Sequence, residues 1–118
     1  MDLPTIDIKG KKYVQVKDRI TYFNETYKNG SISTELVSEV QSDRVVVKAT
    51  VTPDLSLSER VFTGYAQEVV GEGHINKTSA LENAETSAVG RALAMMGIGI
   101  VDSVASVDEI TKANNFSI

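Results

Sequence analysis

Between residues 14 and 30 the apolar positions Val16, Ile20, Phe23 and Tyr27 recur at spacings of four, three and four. That is one face of an α-helix, and Asn29-Gly30 supplies its stop. The next stretch changes period. In SISTELVSEV, the residues Ile32, Thr34, Leu36, Ser38 and Val40 share one side, which predicts a half-buried strand. QSD reads as a tight turn into RVVVKATVT, where Val45, Val47, Ala49 and Val51 face one way and Arg44, Val46, Lys48 and Thr50 the other. The loop PDLSLSE leads to a third strand, RVFTGYAQEVV, and two helical patterns follow, Ser79 to Met96 and about Ser106 to Asn114. The order α-β-β-β-α-α predicts an α+β fold: an antiparallel three-stranded meander with an N-terminal helix and two C-terminal helices, the helices on one face. No repeat or linker divides the chain, so residues 1–118 are expected to form a single domain, with 1–12 a flexible basic arm and 115–118 a flexible tail.

The long helical pattern carries more detail. Ser79-Ala-Leu-Glu82 has the spacing of a capping box. Leu81, Ala84, Ala88, Ala92, Met95 and Met96 form an apolar stripe, and Asn83, Ser87, Gly90 and Ala94 share a small side. A glycine inside a helix costs about 1 kcal/mol relative to alanine. Gly90 therefore implies close packing against a strand or a neighbouring subunit. Glu85 falls inside the stripe, where a buried carboxylate needs a partner; Arg60, Lys48 or another subunit are the candidates. Arg91 is expected to pair with a carboxylate at a packing interface.

Composition narrows the function. The chain has no cysteine and a single histidine, His74, which leaves no thiolate metal site and little for imidazole chemistry. No nucleophile–base pair, metal cluster or carboxylate dyad stands at a usable spacing, so an enzyme, a metal, a cofactor and a small-molecule substrate are not expected. The N-terminus lacks an apolar signal-peptide core and no apolar run suggests a membrane span, so a cytoplasmic protein is expected. Net charge is −4, which argues against a nucleic-acid binder, but its distribution is uneven. Residues 1–28 carry six basic against four acidic groups, whereas residues 29–118 carry six against twelve.

The stretch GEGHINKTSALENAETSAVGRALAMMGIG places glycines and a lysine ahead of a helix, the arrangement by which phosphates are held. A nucleotide-binding P-loop needs glycine immediately before that lysine, and here the position is Asn76. The nucleotide reading therefore fails, and a cap or a backbone-phosphate contact remains.

The string INKTSALENAETSAVGRALAMMGIG, preceded by GYAQEVVG and followed by SVASVDEI, resembles a recurrent group of small phage proteins that bind or anneal single-stranded DNA. These are loosely similar to the Erf and Sak recombinases. The likeness covers about Val45 to Ile110. It implies a β-β-β-α core, assembly as rings or filaments, and binding to single-stranded DNA without sequence specificity during phage recombination or replication. Single strands are held by cations that track phosphates and by rings that stack on bases. The candidates are Lys77, Arg44, Lys48 and the cluster Lys9, Lys11 and Lys12, with Tyr13 and Tyr65 as stacking rings. The expected partners are thus single-stranded DNA and further copies of the chain. Two other readings stay open: a phage interaction module acting on a host enzyme, and an OB-fold single-strand binder, which needs five strands.

Overall fold

The structure, a computed structural model, describes residues 2–39, 42–71 and 73–116, with the side chains of 73–78 and 112–116 left aside. In chain order the elements are β1 (Ile6–Ile8), β2 (Lys11–Tyr13), α1 (Val16–Thr26), β3 (Ser31–Leu36), β4 (Arg44–Thr52), a single 3-10 turn at Leu55–Leu57, β5 (Phe62–Val69), α2 (Gly73–Met95) and α3 (Val107–Phe116). The expected meander is present, with strands ordered β3-β4-β5 and both pairs antiparallel. Among the described residues this sheet has three strands, and β1 and β2 form a separate hairpin, so a five-stranded OB barrel is not what the chain builds. No helix among the described residues is long and apolar enough to cross a membrane.

Strand alternation places Val47, Ala49 and Val51 of β4 inside, fully buried against Ala84, Ala88 and Ala92 of α2. Helix and sheet approach each other closely at Gly64 in β5. A Cβ there would stand 2.5 Å from both the Ala88 carbonyl oxygen and the Ala92 nitrogen, so only glycine admits α2 at this depth. The other flank of α2 takes α1. A Cβ on Gly90 would lie 2.6 Å from Cγ2 of Val16, so the small side receives a helix of the same chain rather than a strand or a second subunit. Val16 and Phe23 are buried, and Ile20 and Tyr27 pack partly buried beside them, which is the α1 face set by the spacing.

Arg19 lies on that same face and is fully buried. Its guanidinium donates to the carbonyl oxygens of Gly90 at 2.9 Å, Val104 at 3.2 Å, Gly99 at 3.2 Å and Ala105 at 3.5 Å. It thereby ties α1 to α2 and to the segment that follows α2. Burial pulls its pKa down from the usual arginine value, while the charges of Glu109 and then Asp108 pull it back up. Surrounding carbonyls and those two carboxylates let a charge sit where an isolated one would be costly.

Several expectations need correction. α2 begins at Gly73, so Ser79 and Glu82 lie inside the helix and form no cap. A working capping box stands at α3 instead: Ser106 Oγ accepts from the Glu109 N–H at 3.3 Å, and the Glu109 carboxylate accepts from the Ser106 N–H at 3.0 Å. Leu81 and Met95 are exposed, because the sheet-facing stripe is made by the alanines and these two residues point off it. β3 ends at Leu36 and β4 begins at Arg44, so the link is longer than a three-residue turn, and Val40 and Gln41 lie outside the described residues. Residues 6–12, expected as part of an arm, form the hairpin together with Tyr13, closed by a two-residue turn in which Lys9 and Gly10 both have positive φ. Asn115 and Phe116, expected in a tail, belong to α3, and residues 117–118 lie outside the described ones.

Candidate functional site

The β4 pattern that buries Val47, Ala49 and Val51 necessarily turns Arg44, Val46, Lys48 and Thr50 to the opposite face. Register extends each of these into a row across the sheet. Lys48 stands between Glu35 of β3 and Tyr65 of β5, and Thr50 between Ser33 and Thr63. At the far end Arg44 pairs with Val69. All of these side chains lie on the face turned away from α2, and all are exposed or half-buried. Tyr65 is 53 % exposed, and the Lys48 ammonium sits 5.9 Å from its ring centroid. An ammonium at that distance is attracted to the ring face, so the pair presents one ring and one cation side by side.

Alternation thus brings together three of the eight residues expected to touch DNA, namely Arg44, Lys48 and Tyr65. Rows on one strand face are two residues apart, about 7 Å, so Arg44 and Lys48 are separated by two rows, roughly 13 Å. The face is not strongly positive, because Glu35 lies beside Lys48 in the same row.

The remaining candidates lie elsewhere. Lys9, Lys11 and Lys12 are exposed on the β1–β2 hairpin. That hairpin is tied to the segment beyond α2, since the Lys12 N–H donates to Asp102 Oδ2 at 2.7 Å. Asp7 is the cross-strand partner of Lys12, so acidic groups surround this basic cluster. Tyr13 is only 8 % exposed; its ring is taken up by the core and has no face free for a base. The Lys77 backbone belongs to α2, and its side chain lies outside the described residues.

The three residues assigned to pairing or packing are also placed. Arg91 bonds the Glu109 carboxylate at 3.2 Å, the carboxylate pairing expected of it, and this holds α3 to α2. Gly90 admits α1, as described above. Glu85 is exposed rather than buried, and its Oε2 accepts from the Thr34 hydroxyl at 2.7 Å, so it needs neither Arg60 nor Lys48. α2 covers β4 and β5 more than β3, which leaves position 85 open to solvent at the sheet edge.

Two structural residues escaped the sequence reading, although each left a signal. Arg19 sits three residues after Val16 and four before Phe23, a charge on an apolar face. Gly64 is a lone glycine inside a strand pattern, a mark of close backbone approach.

The family model described as Slr1353 N-terminal dsRNA-binding domain-like matches residues 20–96. That span contains most of α1, the whole meander and all of α2, and it leaves out the hairpin and α3. No curated protein and no solved structure matches the chain.

Proposed function

Since the chain belongs to the Slr1353 N-terminal dsRNA-binding domain-like family, we propose that it binds nucleic acid, and that it does so through the outer face of the β3-β4-β5 sheet. The observation carrying this is the exposed Tyr65 ring with the Lys48 ammonium beside it, on a face that no helix among the described residues covers. A ring of this kind stacks on any base, and a cation beside it meets the adjacent phosphate. The ligand is a single strand, single-stranded DNA in the first instance, because stacking on Tyr65 requires an unpaired base. Binding is independent of sequence, because every base has a face on which a ring can stack and every phosphate can meet a cation. Arg44 supplies a second phosphate contact along β4. With so few cations per copy, self-association is part of this reading, as the annealing or protection of a strand in phage recombination or replication would require.

A second reading is favoured by the family description itself. Double-stranded RNA is recognised by shape, through contacts to phosphates and 2′-hydroxyls. The exposed Lys9, Lys11, Lys12 and Lys17 on the helix side are the groups for that mode.

Fluorescence anisotropy with labelled single- and double-stranded DNA and RNA separates the two. The first reading expects single strands to bind ahead of either duplex, with log affinity falling against log salt at a slope of about −1.4 for two phosphate contacts. Preference for duplex RNA, undiminished by loss of Tyr65, would replace it with the second. No binding to any of the four would remove both.

A further inference from the structure

β3 is an edge strand of a sheet whose helix layer covers it only in part. From Ser33 to Leu36 every residue is exposed, on both faces. Edges of this kind are ordinarily blunted by lysine, by proline or by a covering element. This one carries a single charge, Glu35, and exposes Leu36 at 43 %. Leu81 of α2 is exposed at 53 % and adds to the same patch. The Thr34–Glu85 bond anchors this relation: Leu81 is one turn nearer the start of α2, and Leu36 is one step along the strand face toward the same end.

The backbone groups this edge offers follow from the hydrogen bonds at its end. The N–H groups of Val37 and Ser38 both donate to the Val46 carbonyl, at 2.8 and 3.4 Å, which is a β-bulge at a bonded site. Bonded and non-bonded pairs alternate along an antiparallel ladder. Leu36–Val47, Thr34–Ala49 and Ile32–Val51 are therefore the non-bonded pairs, and the N–H and C=O groups of Ile32, Thr34 and Leu36 point away from β4.

We propose that a second copy of this chain adds to that edge, β3 against β3 in antiparallel register about a two-fold axis at Thr34, forming one six-stranded sheet. The occupant is identified by self-complementarity. With Thr34 opposite Thr34, Ile32 faces Leu36 of the partner copy, and all three outward-pointing residues find bonded partners. On the outer face Ser33 lies opposite the partner copy's Glu35, so each carboxylate meets a hydroxyl. Sliding the register by one residue in each strand in one direction sets Glu35 against Glu35, which like-charge repulsion disfavours. Sliding it the other way removes Leu36 from its apolar partner. The inference rests on the self-association reading above and names its surface. Joined in this way, the Lys48–Tyr65 rows of two copies share one continuous outer face. A six-residue edge is at the small end of specific interfaces, below about 1,200 Å², so the dimer is weak and concentration-dependent.

The chain has no cysteine, which makes the test direct. Opposed Cα atoms of a bonded antiparallel pair are about 5.5 Å apart, within the range a disulfide spans. Thr34→Cys under mild oxidation is expected to give a covalent dimer, and Thr63→Cys on the far strand is not. Thr34→Pro removes an outward-pointing N–H and the exposed hydroxyl bond to Glu85 but no bond of the β3–β4 ladder, so it is expected to keep the fold by circular dichroism while the wild-type monomer–dimer equilibrium disappears from sedimentation. A wild-type chain that stays monomeric at high micromolar concentration, or cross-linking at position 63 in place of 34, would overturn the proposal. Oligonucleotide anisotropy of the cross-linked Thr34→Cys dimer, in which the pairing is fixed at any concentration, reports the nucleic-acid reading by itself. A covalent dimer that forms but binds no oligonucleotide therefore supports the edge while removing the nucleic-acid reading.

Discussion

Gly64 and Tyr65 are neighbours in sequence and face opposite ways. At Gly64 the sheet has no side chain, and α2 lies so close that its backbone would touch a methyl group. At Tyr65 the sheet carries one of its largest side chains, and more than half of it meets solvent. The inner face is a seam of glycine and alanines where every atom has a neighbour, and interiors packed to that density tolerate little change in volume. The outer face holds hydroxyls, one lysine–tyrosine pair and an arginine, none of which the fold needs as packing. One strand therefore separates what keeps the molecule folded from what is free to bind, and substitutions at adjacent positions should report on different properties.

The largest effect is expected inside. Gly64→Ala forces its methyl against the carbonyl of Ala88, so α2 must lift from the sheet at a cost of about 3 kcal/mol. Urea unfolding measures this, and a loss well under 1 kcal/mol would mean that the seam is looser than the distances say. One position along, Tyr65→Ala should leave stability within about 0.5 kcal/mol and weaken single-strand binding by roughly tenfold, the scale of one lost base stack. If Tyr65→Ala instead unfolds the protein while binding by the folded fraction persists, the two faces are not divided as described.

A smaller effect distinguishes the two serine–glutamate spacings. Ser106→Ala removes the cap of α3 and should cost about 1 kcal/mol, whereas Ser79→Ala lies in a helix interior and should stay within about 0.5 kcal/mol. Thermal denaturation of both variants checks the pair; equal losses would put the start of α2 at Ser79. The smallest effect belongs to the outer row. Glu35→Gln removes the negative charge beside Lys48 and should tighten single-strand binding about twofold at low salt. That gain should fade as salt is raised, since exposed charges are screened. An equal gain at high salt would show that Glu35 acts through something other than its charge.

Much of the architecture is legible in the sequence because it rests on periodicity. Period-two alternation in RVVVKATVT assigns Val47, Ala49 and Val51 to the core and Lys48 to the other face, and the register leaves that assignment intact. The 3-4 spacing of Val16, Ile20, Phe23 and Tyr27 likewise sets the inner face of α1. The site is legible only in part. Arg44, Lys48 and Tyr65 share a face for the same reason of alternation, but Tyr13 and the hairpin lysines, which look alike in sequence, are separated from them by where the chain goes.

Local chemistry thus fixes which side of each strand and helix is apolar, since that depends only on neighbours a few residues away. Which partner fills each face was decided at long range. Helix α1, not a strand or another subunit, occupies the small side at Gly90, and Arg19 finds four carbonyl oxygens gathered from α2 and the segment after it. Glu85 meets solvent and Thr34 because α2 covers β4 and β5 more than the edge strand β3. Ser79 and Glu82 have the spacing of a cap but not its place, because the helix runs on past them to Gly73. A cap, a buried charge and a covered edge all depend on what the rest of the chain brings alongside, and no local spacing carries that information.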